Sequence, residues 1–288
     1  MSNRLAIGTV QFGLNYGIAN RRGQVGRDEA AKILDGAWKA VVDTLDTAVA
    51  YGESEALLGA IGVDRWRIVT KLPPMPEGVS DVAVWLAETL CGSLQRLRVG
   101  ALGALMLHRP GDLLGPHGPA LYDAMRRVRD NGPAGKIGYS VYSPAELDQL
   151  VERFPPDIIQ APLNVFDQRL IASGWLDRLH AAGVEVHVRS AFLQGLLLMP
   201  PDARPPAFAR WAGHLGLWDA WLAGAGVTPV TAALNFALQQ PVDRVVVGVT
   251  SRAELDEILA CAGVAPLRFP AGLAIQDEDL INPARWEK

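Results

Sequence analysis

Short apolar segments alternate along the whole chain with longer segments of helical periodicity. In the longer segments, apolar residues recur every three or four positions, as at Leu86, Leu90, Leu94 and Leu97, which marks one face of a helix. The short segments are apolar at nearly every position, a pattern typical of strands in a parallel sheet that is covered on both faces. The pattern therefore predicts a series of repeated βα units.

Eight strands and nine helices are predicted. The strands cover residues 5–9, 41–45, 66–71, 102–107, 137–141, 157–161, 184–189 and 244–248. The helices cover residues 28–41, 53–61, 79–97, 120–129, 144–152, 170–182, 207–224, 228–239 and 252–261. The loop at 11–26 is too long for a simple connection, so we expect it to lie over a site.

This count favours a closed (β/α)8 barrel, the TIM-barrel type of α/β fold, as a single domain. The domain would span residues 1–288 with a short C-terminal tail at 266–288, because no linker divides the chain. An open doubly wound sheet is the alternative. That fold normally carries GxGxxG after its first strand, whereas this chain has GTVQFG there.

Composition narrows the class of protein further. The chain has 288 residues, of which 49% are hydrophobic and 20% charged, and its net charge of -4 disfavours nucleic acid as a partner. The longest apolar run, residues 191–201, is too short to cross a bilayer. No secretory signal opens the sequence, so we expect a cytoplasmic protein. Cys91 and Cys261 are expected to be reduced and buried, and no histidine spacing indicates a metal site.

Four polar residues stand at or just beyond the ends of predicted strands two to four: Asp46, Tyr51, Lys71 and His108. In a barrel these strand ends meet at one rim. A tyrosine with a free pKa near ~10 exchanges protons poorly at neutral pH unless a cation favours its phenolate, and a lysine held by an aspartate would supply that cation. A neutral His108 could orient a carbonyl. None of the four is a hydride source, so the chemistry is proton transfer alone or coupled to a redox cofactor.

Eight motifs in the right order, from about residue 5 to residue 262, resemble the aldo-keto reductase superfamily. They are GTVQFG at 8–13, DTAVAYGESEALLG at 46–59, IVTK at 68–71, LMLHRP at 105–110, KIGYSVYSPAEL at 136–147, IIQAPLNVFD at 158–167, SAFLQGLL at 190–197 and VVVGVTSRAELDEI at 245–258.

The resemblance implies an enzyme and its site residues. Asp46, Tyr51, Lys71 and His108 would form the catalytic tetrad, with Tyr51 as general acid or base for hydride transfer between a nicotinamide cofactor and an aldehyde or ketone. NADP(H) is favoured and NAD(H) is the alternative. The implied cofactor-binding residues are Thr9, Ser140, Gln160, Arg189, Ser190, Leu193, Gly195, Gly248, Thr250, Arg252 and Glu257, with Asn164 in the same motif as Gln160.

Two departures from the family pattern affect the nicotinamide end of the implied site. Val141 stands where the family often has asparagine, so one amide contact would be lost or replaced. Arg189 stands where an aromatic residue commonly stacks on the nicotinamide. Its flat guanidinium could stack instead, or it could pair with a carboxylate such as Asp46 or Glu185.

Two further departures affect the opposite end of the cofactor. Glu254 and Ile258 stand where the family often has arginine or glutamine, and asparagine. A carboxylate is unfavourable near a 2′-phosphate, although Arg252 and Thr250 are close enough in sequence to offset it.

The short tail suggests an open site for small or sugar-like carbonyls. The expected partners are therefore a small-molecule carbonyl or alcohol, with no nucleic acid, no membrane and at most weak oligomerisation. Tyr16 in the first loop is the aromatic residue expected near substrate. The tryptophans expected in the core are Trp38, Trp66, Trp85, Trp175, Trp211, Trp218 and Trp221.

Two other functions fit the same residues. One is a catalytically weak NADP(H)-binding regulatory barrel. The other is an aldolase or isomerase barrel in which Lys71 is a Schiff-base nucleophile.

Overall fold

A computed structural model describes residues 2–286 of the chain, and its strands form a closed parallel barrel. The strands, β1 to β8, are Leu5–Gly8, Thr44–Asp46, Arg67–Leu72, Ala104–Leu107, Ile137–Ser140, Ile158–Pro162, Glu185–Arg189 and Arg244–Gly248. Each strand pairs with the next in chain order, and β1 closes the ring against β8 with Gly8 opposite Gly248. The predicted (β/α)8 barrel is thus confirmed, and the open sheet is wrong.

Helices connect the strands on the outside of the barrel. In chain order, α1 to α12 are Val10–Gly13, Arg27–Lys39, Ser54–Ile61, Val82–Leu97, Gly118–Asn131, Pro144–Leu150, Arg169–Ala172, Trp175–Ala181, Ala212–Ala225, Pro229–Leu238, Arg252–Cys261 and Glu278–Ile281. Short 3-10 turns add Ser2–Arg4, Pro110–Leu114, Leu193–Leu198, Pro201–Ala203, Pro206–Trp211, Ala271–Leu273 and Pro283–Arg285.

The prediction for the connection between α2 and β2 was wrong at its boundary. Val41, placed at the end of the helix and the start of the strand, lies outside both elements with φ of 64° and is 67% exposed. The chain turns there in the left-handed region, and Val42 takes the buried position instead. The apolar spacing assigned Val41 to the buried face of the helix. The turn instead exposes Val41 and buries Val42, which spacing alone does not predict.

Two predicted helices are interrupted. The helix predicted at 170–182 divides into α7 and α8 at Gly174, whose φ of 74° is incompatible with a continuous helix. The helix predicted at 207–224 opens as the 3-10 turn Pro206–Trp211 and becomes α-helical only at Ala212. Apolar spacing does not distinguish a continuous helix from two helices that share one buried face.

The side chains of β7 alternate between the two sides of the barrel wall. Val186 and Val188 belong to the large outer core, while Glu185, His187 and Arg189 occupy the alternate positions. Because successive strand residues face opposite sides, these three polar residues line the inside of the barrel from its amino end to its carboxyl end.

The amino end of the barrel is held by an ionic cluster around Glu185. Its carboxylate accepts two hydrogen bonds from Arg67, at 2.6 and 2.8 Å, and one from Lys136 at 2.7 Å. His187 Nε2 lies 2.6 Å from the same carboxylate. Burial opposes ionisation of Glu185, but the bonds from His187, Arg67 and Lys136 more than offset it and hold its pKa well below the ordinary value.

The expected core residues are largely in place. All seven tryptophans expected in the core are buried or pack against it. Cys261 is buried, as expected, but Cys91 is exposed, which corrects its assignment. Cys91 directly follows the buried Leu90 on α4, so it points about a quarter turn away from the buried stripe. Both thiols are free.

The C-terminal tail packs on the barrel through specific contacts. Ile275 N donates to Phe166 O at 3.0 Å, and Arg169 forms an ion pair with Glu278 at 2.9 Å. Among residues 2–286, no single helix has the length and apolar composition needed to cross a membrane. One bent pair, Pro206–Ala225 with Pro229–Leu238 at 97°, meets both criteria together.

The cluster at the amino end predicts a large stability effect. Glu185→Gln should lower the free energy of unfolding by about 2 kcal/mol, because it removes the charged acceptor that Arg67 and Lys136 share. Chemical denaturation would measure the change, and Glu88→Gln on the exposed side of α4 is the matched control.

The depressed pKa means that Glu185 stabilises the fold fully above the pKa of free glutamate, about 4.3. That contribution decreases as the pH falls below this value. A variant as stable as the wild type would contradict the role of the cluster.

Candidate active site

A buried ion pair joins the carboxyl ends of β2 and β3. Lys71 Nζ donates to Asp46 Oδ1 at 2.7 Å and to Thr47 O at 3.0 Å, and Gln160 Nε2 donates to Asp46 Oδ2 at 2.7 Å. The Lys71 side chain is 0% exposed and that of Asp46 4%. Burial lowers the pKa of Lys71, whereas the Asp46 charge and hydrogen bond raise it. Each carboxylate oxygen has a donor, which is the condition for burying such a pair.

Tyr51 is held over this pair by close backbone packing. A Cβ at Gly13 would stand 1.7 Å from Tyr51 O and 2.5 Å from Ser54 N. Gly52, at φ of 54°, in turn packs on Gly13 O. Only glycine at position 13 lets the short helix α1 press against the Tyr51 turn, so α1 sets where the phenol lies.

The Tyr51 ring contacts both partners that the sequence assigned to it. Lys71 Nζ lies 5.2 Å from the ring centroid. The His108 ring lies edge-on to the same ring, with centroids 5.6 Å apart and planes at 85°. The barrel therefore brings Asp46, Tyr51, Lys71 and His108 together at its carboxyl mouth.

The electrostatics of Tyr51 differ from the expectation. Burial, and next the charge of Asp46, raise the pKa of Tyr51 well above its ordinary value. The lysine does not favour the phenolate as expected, because Asp46 compensates its charge at 2.7 Å. The phenol is therefore protonated at neutral pH.

His108 follows β4, and its backbone N donates to Leu72 O at 3.1 Å. Burial, then the charges of Lys71 and Arg189, lower its pKa to about 4. The imidazole is neutral at pH 7, as the sequence predicted.

A hydroxyl network supports the Asp46 strand end, and the sequence analysis missed most of it. Thr9 Oγ1 donates to Asp46 O at 3.0 Å, and Ser54 Oγ donates to Thr9 Oγ1 at 2.9 Å. Thr47 Oγ1 lies 3.2 Å from the same Ser54 Oγ. Thr9 is completely buried, and its hydroxyl is engaged with protein groups. These contacts suit a positioning role for Thr9, while the predicted cofactor contact stays a prediction.

The residues implied for cofactor binding at the ends of β5 and β6 have different environments. Ser140 ends β5 at the mouth and is 2% exposed. Gln160 faces inward beside Asp46, to which its amide nitrogen is committed. Asn164 is fully buried; it donates to Ser190 O at 3.1 Å and accepts from the backbone N–H of Phe166 and Asp167. Asn164 thus organises the loop after β6.

Arg189 lies at the carboxyl end of β7 and pairs with neither Asp46 nor Glu185. Its guanidinium donates to Val141 O at 3.1 Å and to Ser190 Oγ at 3.3 Å, and it lies 4.3 Å from the centroid of the Tyr142 ring. The arginine therefore occupies the space beside Val141, the position where the resemblance implied a missing amide.

The segment after β7 has an unusual backbone. Ser190, Leu193 and Gln194 have φ of 62°, 48° and 52°, which non-glycine residues rarely adopt. The first loop packs against this segment: Gln194 Nε2 donates to Tyr16 Oη at 3.0 Å, and a Cβ at Gly195 would stand 2.4 Å from Ala19 Cβ. Strained segments of this kind are common at binding sites. The predicted loop 11–26 is therefore partly wrong, because residues 11–13 belong to α1, and the rest packs against this segment with Tyr16 40% exposed.

Gln11 is a residue of the mouth that the sequence analysis did not select. A Cβ at Gly248 would stand 2.6 Å from its amide nitrogen, so glycine at the end of β8 makes room for this side chain. Among the described residues, Gln11 Oε1 is buried without a hydrogen-bond partner. A buried acceptor with no partner indicates a place for a donor from a bound molecule. Only the motif GTVQFG pointed to it.

Three predicted cofactor residues lie on or before α11. Thr250 precedes the helix, Arg252 begins it, and Glu257 is exposed on its outer side. Within residues 2–286, no group of three or more His, Cys, Asp or Glu side chains could hold a metal ion.

The site thus has a carboxylate, a lysine, a phenol and an imidazole at the carboxyl mouth of a parallel barrel. This is the end of the fold at which barrel enzymes have their active sites. Residues 4–268 match the model of the aldo/keto reductase family, so the chain belongs to that family. Its members are oxidoreductases that generally use nicotinamide cofactors and act on small carbonyl or alcohol substrates. No curated protein sequence matches the chain.

Solved structures show the same fold. The holo form of an aldo-keto reductase from Bacillus halodurans aligns with a TM-score of 0.74 and 19% identity, covering 92% of this chain and 88% of the other. A glycerol dehydrogenase from Gluconobacter oxydans aligns with a TM-score of 0.70 and 21% identity, with the same two coverages of 92% and 88%.

The packing of α1 on the Tyr51 turn predicts that Gly13→Ala is destabilising. The new methyl group overlaps backbone atoms, so the free energy of unfolding should fall by about 2 kcal/mol. Urea denaturation would measure it. Gly213→Ala, where a Cβ on α9 meets nothing within 4 Å, is the control and should not destabilise the fold. Equal stability of both variants would contradict the tight contact.

The environment of His108 predicts an acidic titration. Its imidazole signals in NMR should shift with a midpoint near pH 4, rather than near the ordinary 6.5, and the His108→Gln variant identifies them. Since the folded pKa is the lower one, this group costs no stability above pH 6.5. It should destabilise the fold progressively as the pH falls from 6.5 toward 4. A midpoint near 6.5 would show that the ring is solvated.

Proposed function

We propose that the chain is an NAD(P)H-dependent carbonyl reductase or alcohol dehydrogenase that acts on small or sugar-like aldehydes and ketones. The observation that carries the proposal is the convergence of Tyr51, the Asp46–Lys71 pair and His108 at one mouth of the barrel. Family membership supports the reaction class.

Tyr51 is the proton donor for reduction. Its pKa is raised, so the phenol holds its proton at neutral pH and gives it up only when negative charge develops on a carbonyl oxygen. In the oxidative direction the same oxygen would receive the alcohol proton. The charge of Arg189 lowers the pKa of Tyr51, so its guanidinium favours the phenolate that forms when Tyr51 gives up its proton.

His108 is the orienting group. As a neutral imidazole it can donate one N–H to the carbonyl oxygen without acting as a competing acid, because its pKa lies near 4. Its edge-on contact with the Tyr51 ring aims both groups at the same side of the mouth.

The mouth also has groups suited to a nicotinamide cofactor, which would supply the hydride when bound. The unpartnered Gln11 Oε1 can accept from a carboxamide or hydroxyl donor, and Ser140 lies across the mouth from it. The segment 190–195 follows β7, close to the region after strands seven and eight where barrels of this type commonly bind phosphate groups. The predicted contacts of Ser190, Leu193, Gly195 and Gly248 belong to this proposal.

The geometry disfavours Lys71 as a Schiff-base nucleophile. Its side chain is 0% exposed, and its ammonium donates to both Asp46 and Thr47. A nucleophilic lysine must be deprotonated and must reach the substrate carbon, and both contacts oppose this.

Replacing the phenol tests the proposal. Purified wild type, with NADPH or NADH and a panel of small aldehydes and aldoses, should oxidise the cofactor, and Tyr51→Phe should reduce kcat by about 100-fold or more. Tyr122→Phe removes an equivalent hydroxyl that bonds Pro155 O on the outside of the barrel and should retain activity.

The outcomes separate the alternatives. Tight cofactor binding with no turnover on any substrate would favour the regulatory barrel. Turnover that is equal in Tyr51→Phe and wild type would exclude Tyr51 as the acid.

A further inference from the structure

Two carboxylates from different parts of the chain accept hydrogen bonds at the start of α11. Glu254 accepts from Thr250 N at 2.7 Å and from Thr250 Oγ1 at 2.8 Å. Glu29 of α2 accepts from Arg252 N, the first amide of the helix, at 2.7 Å. A helix N-terminus attracts phosphate through its free amides and positive partial charge. Here Glu29 already accepts from the first helix amide, the Ser251 hydroxyl accepts from Glu254 N at 3.3 Å, and the Glu254 carboxylate lies beside them on Thr250.

The nearby cations are directed away from this helix end. Arg252 Nε donates to Asp256 Oδ1 at 2.8 Å. The guanidinium group also packs directly on α2 at Gly36, where a Cβ would stand 2.5 Å from the guanidinium carbon. Lys32 is paired with Glu29 at 3.5 Å. The sequence suggested that Thr250 and Arg252 could offset the Glu254 charge toward a phosphate. In the structure Thr250 donates to Glu254 and Arg252 donates to Asp256, so neither is directed at a phosphate.

Arg22 is another cation whose charge acts on this region. It lies exposed in the first loop and acts on Glu29 only through its charge. The backbone N–H of Arg252 is the main cause that lowers the pKa of Glu29, so this carboxylate is ionised at neutral pH. The helix end thus presents acceptors, where a phosphate would need donors.

We propose that the rim after β8 selects NAD(H) against NADP(H), with Glu254 as the selectivity residue and Glu29 as its support. The inference rests on the proposed nicotinamide dependence and reverses the preference for NADP(H) that the sequence suggested. A 2′-phosphate would bring further negative charge to two carboxylates, whereas the two hydroxyls of an unmodified ribose can donate to Glu254.

Binding measurements test this without reference to turnover. Titration calorimetry of the purified full-length protein with NADH and with NADPH gives a dissociation constant for each. The wild type should bind NADH at least about tenfold more tightly. Glu254→Gln keeps an oxygen that can accept from Thr250 and removes only the charge, so the ratio should fall several-fold toward unity. Glu29→Gln combined with Glu254→Gln should lower it further.

Glu88→Gln makes the same charge change on α4, far from α11, and should leave the ratio unchanged. Circular dichroism establishes that each variant is folded, and Glu29→Gln alone provides a second test if the double variant is not. Equal or tighter binding of NADPH by the wild type would overturn the inference while leaving the proposed function intact. A preference for NADH that no variant alters would overturn the role of Glu254. If neither nucleotide binds, the proposed function fails, and this inference with it.

Discussion

The Asp46–Lys71 ion pair is the interaction on which the mouth of the barrel depends. Burying two charges is unfavourable unless their hydrogen-bonding groups are satisfied. Here Gln160 and the Thr47 carbonyl complete the pair from β6 and from the turn after β2. Thr9 and Ser54 then hold the same strand end from α1 and α3. Tyr51 lies above this pair, and its phenol remains protonated because burial, and next the charge of Asp46, raise its pKa.

The interior of the barrel has charged groups at both ends, and between them the buried His187 lies among apolar side chains. Glu185 draws Arg67 and Lys136 together at the amino end, and Val69, Ala104, Met106 and Ile158 fill the middle. Arg189 stands at the carboxyl end of the same strand as Glu185. One strand thus contributes a charged side chain to each end of the barrel, with Glu185 in the ionic cluster and Arg189 at the mouth.

Much of this arrangement could be predicted from the sequence. Eight apolar segments in alternation with amphipathic ones predicted the barrel, and polar residues just after the segments predicted Asp46, Lys71 and His108 at one rim. The pattern EVHVR at 185–189 carried a further signal that was not used, because polar residues at alternate positions of a buried strand must face the barrel interior.

The sequence by itself determined the number and order of the strands and the side of the barrel where the polar side chains gather, because these follow from local periodicity. Only the tertiary structure decided which polar groups are engaged and which remain free. In the sequence Thr250 and Arg252 are available to a phosphate, but in the structure carboxylates already accept their hydrogen bonds. The sequence does not single out Gln11, whereas the structure shows that Gly248 leaves room for its amide at the mouth. Hydrogen bonds between residues more than 200 positions apart, such as Glu29 with Arg252, depend on how the ring of strands closes, and no local pattern encodes that closure.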